Sequence, residues 1–358
     1  MTPSTLRPRR RPRIAPLALA AVSLLVVACG GTDRAGTVAG GPPGSVRLGF
    51  FPNVTHTPAL VGVAEGTFSA ALGEATELET FTFDAGTEAA EALLAGSLDL
   101  TFIGPNPAIN AFAQSGGEAV RIVAGSTSGG AFLVVREGIT SAADLEGLTI
   151  ATPSLGNTQD VALRAWLKEN GFETTPNGGG DVIVLPQKNS TTLESFINGD
   201  IDGAWVPEPW ATRLVSEGGG VVLVNERDLW TETGGEFVTT HLLVRTEFLE
   251  QHPDTVAAII EGLAAALDAI EADPAAAQAD VIAQIASITG TDPDPATIAA
   301  AFGNLTFTLD PIAASLATSA ADATSVGLLG EIELDGLYAL DLLNALLAER
   351  GESPVVGL

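Results

Sequence analysis

The sequence predicts an α/β protein of two similar lobes joined by a hinge, with further C-terminal helices packed on the first lobe. Three observations carry that expectation. A strand, loop and helix pattern beginning near residue 46 returns near residue 148. A helix, turn and strand pattern around Gly96 and Asp99 returns around Gly199 and Asp202 at the same offset. Beyond residue 246 strand signals give way to long Ala/Leu/Ile periodicities. The length of 358 residues, at about 150 per domain, fits two domains, and 46% apolar residues supply their cores.

In chain order, Arg7, Arg9, Arg10, Arg11 and Arg13 precede an apolar run, Ile14 to Val27, which closes on Val26-Val27-Ala28-Cys29. This reads as an export signal over residues 1–28. At about 1.5 Å per residue the run is short for a hydrocarbon core of about 30 Å, which disfavours a permanent membrane helix. Residues 29–44, rich in Gly, Thr, Ala and Pro, read as a flexible tether.

The first unit starts with Val46 to Phe50, a short buried-strand pattern. It runs into the loop Phe51-Pro52-Asn53-Val54-Thr55-His56 and a helical stretch stopped at Gly66-Thr67-Phe68. Its counterpart is Leu148 to Ala151, then Thr152-Pro153-Ser154-Leu155-Gly156-Asn157-Thr158, then a helix over Gln159 to Asn170. The second pair sets Leu94-Ala95-Gly96-Ser97-Leu98-Asp99 before the strand Leu100 to Ile103 against Ile197-Asn198-Gly199-Asp200-Ile201-Asp202 before Gly203 to Val206. Helix, Gly stop, strand and Pro-bearing loop is how an α/β unit returns to a parallel sheet. Loops at the carboxyl ends of such strands carry ligands, so the site is expected in a cleft where both lobes' loops face each other. Helical periodicity over 254–272, 274–287, 311–323 and 335–349 finds no further strands to cover. Those helices therefore return to the first lobe, giving lobe one as 45–135 plus 241–358 and lobe two as 136–240. Two chain crossings, near 135 and 241, form the hinge.

Composition excludes several functions. One cysteine, Cys29, leaves no internal disulfide, no Cys-cluster metal site and no dithiol chemistry. His56, His241 and His252 are the only histidines, and no metal or cofactor is expected. Neither lysine, Lys168 or Lys188, sits in a Gly-rich phosphate loop. A formal charge of −28 argues against nucleic acid. Removing residues 1–28 takes away five arginines and no acids, leaving 11 bases against 44 acids, a charge that favours a soluble monomer.

Gly49-Phe50-Phe51-Pro52-Asn53-Val54-Thr55-His56, Phe102-Ile103-Gly104-Pro105-Asn106-Pro107, Asp144-Leu145-Glu146-Gly147-Leu148-Thr149-Ile150-Ala151, Asp202-Gly203-Ala204-Trp205-Val206-Pro207-Glu208-Pro209-Trp210 and Gly235-Glu236-Phe237-Val238-Thr239-Thr240 follow one another in an order that resembles substrate-binding proteins of ABC importers. The branch handling aliphatic sulfonates, taurine and nitrate is the most similar. The resemblance, from about residue 45 to the end, implies the type 2 periplasmic-binding-protein fold. It also implies capture of a small solute for a membrane permease and its ATPase, and no enzymatic activity. The N-terminal pattern resembles a bacterial lipoprotein signal, which implies lipidation of Cys29 and anchorage to the outer face of the cytoplasmic membrane, or a periplasmic location.

The expected contacts follow the strand-end loops. Gly156-Asn157-Thr158 opens a helix whose free N–H groups and dipole can hold an anion, although an ordinary N-cap has the same pattern. Ser154 lies on the same loop. Gly104 and Asn106, at the helix after Ile103, and Thr87, before the helix Glu88 to Leu94, repeat the arrangement, with Thr87 equally suited to capping alone. Asn53 and His56 can reach a solute from the first loop; a histidine bonded to backbone is the plainer alternative. Ser126 and Ser128 lie on an expected polar loop after Val120 to Ala124. Trp205 offers an apolar wall and Glu208 suits an amine, so an amino-bearing solute such as taurine, or a thiamine-pyrimidine precursor or another N-heterocycle, stands beside a purely anionic solute. The rival of another class is a hydrolase. Gly125-Ser126-Thr127-Ser128-Gly129 comes near a nucleophile elbow, but its centre is Thr127. A pyrimidine-synthesising enzyme shares the fold by the same resemblance, yet its cysteine-rich motif is absent.

Overall fold

The computed structural model describes residues 43–358; the export signal, Cys29 and nearly all of the tether lie outside the described residues. Two sheets organise the chain. The first contains β1 (Ser45–Phe50), β2 (Glu77–Thr82), β3 (Leu100–Ile103) and β4 (Val120–Gly129), with α1 (Thr57–Ala64), α2 (Thr67–Leu72), α3 (Gly86–Leu94) and α4 (Pro105–Gln114) between them. The second contains β5 (Ala131–Val135), β6 (Thr149–Thr152), β7 (Ile183–Pro186), β8 (Gly203–Pro207) and β9 (Val221–Asn225), interleaved with α5 (Thr158–Glu169), α6 (Asn189–Asn198) and α7 (Trp210–Ser216). The chain then returns through β10 (Val238–Arg245), α8 (Thr246–Gln251), α9 (Pro253–Ala272), α10 (Pro274–Thr289), α11 (Pro295–Phe302), β11 (Leu305–Phe307), α12 (Ala313–Ser325) and α13 (Asp341–Glu349).

The strand orders are β11-β4-β10-β3-β1-β2 and β7-β6-β8-β5-β9. Each lobe has a parallel trio, β2-β1-β3 or β7-β6-β8, followed by an antiparallel strand, β10 or β5. The sequence echo has a backbone cause. Asp99 accepts the Arg47 N–H at 3.0 Å, and the Asp99 N–H donates back to the Arg47 carbonyl. Asp202 does the same with Thr149, at 2.9 Å in both directions. Each aspartate fixes the entry of its own strand beside the central strand of its lobe's parallel trio.

The first crossing falls at Gly129-Gly130 (φ 82° and 72°), before β5 and thus earlier than residue 135. Those left-handed dihedrals suit glycine. The second runs through 226–237, between β9 and β10. The expected polar loop at Ser126–Ser128 is strand instead, because β10 and β11 pair with β4 along it. β11 also corrects the expectation that the C-terminal region adds no strand. The helix expected over 311–323 begins only at Ala313 and the one over 335–349 only at Asp341, and α11 is an additional, unexpected helix.

Apolar clusters cover both faces of the first sheet. Phe50, Phe68, Ile259 and Leu263 pack on one face, while Leu93, Ile109, Phe112 and Leu316 pack on the other. The C-terminal helices join this lobe, but α12 also lies against α5, and α11 against α7.

Candidate functional site

The strand-end loops of both lobes meet around a cavity of about 50 Å³. The first lobe contributes Phe51, Asn53, Thr55, His56, Asp84, Ala85, Gly86, Gly104 and Pro107, with Thr239 and Thr240 from β10. The second contributes Pro153, Asn157, Thr158, Gln159, Asn189 and Pro207. A larger groove, about 530 Å³, runs among α9, α13 and residues 307–310, and no second-lobe residue lines it. Of these two, the smaller cavity is the one that collects the loops that the topology aims at ligands.

Helix starts dominate its wall. Gly86 and Asn189 are the first residues of α3 and α6, and Asn157 and Gly104 immediately precede α5 and α4. The first-turn amides of a helix have no partner within it, so these ends present N–H groups and positive dipole ends from both lobes. At α4, Pro105 and Pro107 carry no N–H, leaving the Asn106 amide as the donor between them.

The loop before α5 is held by buried charge. Asp160 accepts from the Thr152 hydroxyl (2.8 Å), the Gly156 N–H (2.9 Å) and the Arg164 guanidinium (3.0 Å). Asn157 caps the helix by accepting the Asp160 N–H at 3.0 Å, while its amide nitrogen donates to Gln159 at 3.2 Å. Arg164 is thereby committed to the scaffold, and among the described residues no Lys or Arg lines the cavity.

On the other side, the Asn53 carbonyl accepts the Thr55 N–H at 3.2 Å. The Phe51 N–H donates to His56 Nδ1 at 3.4 Å, and burial lowers the His56 pKa to about 3. The imidazole is therefore neutral, and with Nδ1 accepting, its proton resides on Nε2, which becomes a donor.

The lobes touch at the cavity rim. A Cβ at Gly104 would stand 2.7 Å from the Thr158 hydroxyl, closer than packed atoms allow. Asn110 donates to the Gly156 carbonyl at 3.4 Å, and Lys188 pairs with Asp84.

Of the residues expected from sequence, Asn53, His56, Gly104, Asn157 and Thr158 line the cavity. Thr87 follows the lining Gly86, and Ser154 and Gly156 flank the α5 loop without lining the space. Asn106 turns away and donates to the Ser319 carbonyl of α12 at 3.1 Å. Ser126 is buried within β4, and Ser128 accepts the Phe237 N–H at 3.2 Å. Trp205 is core rather than cleft wall: its Nε1–H donates to Glu226 at 2.7 Å, and its ring meets Trp166 edge-on. Glu208 is buried at the start of α7, accepting from the Thr212 N–H (3.0 Å), the Thr212 hydroxyl (2.9 Å) and Asn304 (2.6 Å). Its burial raises its pKa, against those donors. His241 lies in β10 as expected; the His252 ring meets Phe248 at a tilt of 51°.

Asp84, Gln159, Asn189, Thr239 and Thr240 were not among the expected contacts. Asp84 follows β2, an exposed strand whose alternating Glu77 and Glu79 mask it as a loop. Among the described residues no group of three His, Cys, Asp or Glu is placed to hold a metal ion.

Two α/β lobes, crossed twice by the chain and meeting around a small polar cavity, make the two-lobed fold of periplasmic binding proteins. The chain belongs to the NMT1-like family, whose model matches residues 39–287. It is 27% identical over 235 residues to the taurine-binding periplasmic protein of Escherichia coli K12, spanning 65% of this chain and 70% of that one. The alkanesulfonate-binding protein SsuA from Xanthomonas axonopodis pv. citri, solved bound to MOPS, has a similar fold (TM-score 0.67, 20% identity, 82% of this chain and 96% of that one). So does the periplasmic nitrate-binding protein NrtA from Synechocystis PCC 6803 (TM-score 0.71, 16% identity, 86% and 89%).

Proposed function

We infer that this chain is the extracytoplasmic solute-binding component of an ABC importer. It closes over a small sulfonate- or nitrate-type anion and delivers it to a permease served by an ATPase. One observation carries the reading: helix starts from both lobes converge on a cavity that, among the described residues, no Lys or Arg lines. Amide donors and dipole ends can hold an anion without a basic side chain. The Asn53 amide nitrogen, the His56 Nε2–H and the Thr158 hydroxyl add donors to that set. The chain's net negative charge opposes an anion only over short range, since fields are screened beyond about 8 Å at physiological ionic strength. The likeness to taurine-, alkanesulfonate- and nitrate-binding proteins supports the same class of solute.

Because the solute bridges both lobes, its binding energy goes into closure. Lipidation at Cys29 would keep the body at the membrane surface, within reach of its permease. The carrier reading outweighs the hydrolase: Thr127, the centre of the elbow-like segment, is fully buried in β4, where its hydroxyl cannot meet a substrate. The heterocycle reading rested on Glu208, which is bonded to Thr212 and Asn304 outside the cavity lining.

Calorimetric titration of the purified chain with taurine, alkanesulfonates, nitrate, bicarbonate and thiamine-pyrimidine precursors tests the reading. One of the sulfonates or nitrate should bind and be recovered unchanged. Binding of none, or release of a reaction product, overturns it.

A further inference from the structure

Of the residues lining the cavity, Asp84 alone is charged, since His56 is neutral. It sits just before the start of α3 and also borders a second space of about 80 Å³, walled by Phe51, Phe83 and Trp210 and edged by Lys188 and Asn189. The two spaces share Phe51, Asn53, Asp84 and Asn189, so they adjoin at those residues. The inner one has room for little more than a compact anionic head; the rest of a longer solute must pass Asp84 into the outer one.

A carboxylate at that boundary repels a bare anion held among the helix starts. A solute with a cationic group next to its anionic head reverses the sign, because that group lies between the two negative charges. In this structure the position beside Asp84 is taken by the Lys188 ammonium from the opposite lobe. Glu88, on the first turn of α3, also favours the charged lysine. Both partners are more than half exposed, and such pairs contribute little to stability, so a ligand ammonium can replace the lysine.

We propose that Asp84 selects zwitterionic solutes of the aminoalkanesulfonate class over purely anionic ones, and that Lys188 occupies the ammonium position in their absence. The proposal rests on the cavity being an anion site.

Taurine and propane-1-sulfonate, which differ by an ammonium in place of a methyl group, are the probes for titrating the full chain. The parent should prefer taurine by about tenfold, as expected for one charge-assisted contact. Asp84→Asn should abolish that preference by weakening taurine alone, and Lys188→Met should widen it. Equal affinity of the parent for the two sulfonates overturns the selectivity while leaving the anion site intact. So does an Asp84→Asn variant that weakens both alike, which would make Asp84 a lobe-closing residue only, or a Lys188→Met variant with an unchanged ratio. If nitrate binds and neither sulfonate does, the selectivity again falls alone. If neither the sulfonates nor nitrate binds, the anion site falls and the selectivity with it.

Discussion

Among the described residues, lobe one's buried carboxylate, Asp99, is paired with cations, whereas lobe two pairs Asp160 with Arg164 but buries Glu208 and Glu226 without one. In lobe one Asp99 latches the backbone of β1 and is surrounded by the guanidinium groups of Arg47 (2.7 Å) and Arg245 (3.1 Å). Burial pushes its pKa up, but the bonds from Arg47 and Arg245 prevail and hold it below the usual carboxylate range. In lobe two the matching Asp202 latches Thr149 with no cation, while the more deeply buried acid, Glu226, has the Trp205 N–H as a donor and no basic partner. Burial, with some repulsion from Asp322, raises Glu226 to about 7 despite that donor. A motif repeated for its backbone function thus carries different electrostatic loads in the two lobes.

The comparison breaks most visibly at its aspartates. Asp99→Ala leaves two guanidinium groups without their shared carboxylate and should cost about 3 kcal/mol in denaturant unfolding, at the low end for breaking a buried pair because both arginines keep some solvent. Asp202→Ala removes one latch and should cost about 1 kcal/mol. Equal losses would mean that the backbone latch alone matters and the arginines are incidental.

Next in size is the acid without a cation. Glu226 has a folded pKa above its unfolded one, so the folded state takes up its proton. The resulting destabilisation is absent at low pH, grows as pH rises above about 4.5 and is complete above about 7. Glu226→Gln keeps an acceptor for Trp205 and should be more stable than the parent at pH 8 by about 2 kcal/mol, with the gap closing toward pH 4.5. His56 and His241, both held near 3 by burial, destabilise the fold as pH falls below about 6.5, but equally in parent and variant. A stability gap that does not change with pH would show that Glu226 titrates alike in the folded and unfolded chain.

A third effect concerns closure. Gly104→Ala places a methyl group 2.7 Å from the Thr158 hydroxyl only when the lobes meet, so folding should be spared while sulfonate affinity falls about tenfold. Thr158→Ala in the same chain should recover much of that loss. A Gly104→Ala variant that binds normally would put the closed contact elsewhere.

Much of the scaffold was legible because it is written twice. Glycine stops after α3 and α6, the aspartates two strands share, and proline after β3 and β8 are local features with local causes. The cavity residues foreseen from sequence are those on strand-end loops and helix starts, Asn53, His56, Gly104, Asn157 and Thr158. Asp84 acquires its place from Lys188 and Asn189, which the fold brings from the other lobe. Trp205 and Glu208 looked like cleft residues because prolines flank them. What decides their place is the partner each finds at long range: Glu226 for Trp205, and Asn304, alongside the local Thr212, for Glu208. β11, only three residues long, carries too short a pattern to register, yet its pairing is what turns Ser126–Ser128 into strand.

The smallest expected effect separates cleft from scaffold within lobe two. Asn157→Ala loses a helix cap, worth about 1 kcal/mol of stability, and also loses a residue of the cavity wall. Glu208→Gln keeps the oxygen to which the Thr212 hydroxyl and Asn304 donate, gives up the acceptor of the Thr212 N–H, and lies outside that wall. If the helix starts are what hold the anion, Asn157→Ala should weaken sulfonate binding by about fivefold through loosened amide geometry at α5. Glu208→Gln should leave binding unchanged. Because both residues brace the start of a helix in the same lobe, a general softening of that lobe would lower affinity in both variants. Only a site seated at α5 makes them diverge, and divergence in the opposite sense would move the solute toward α7.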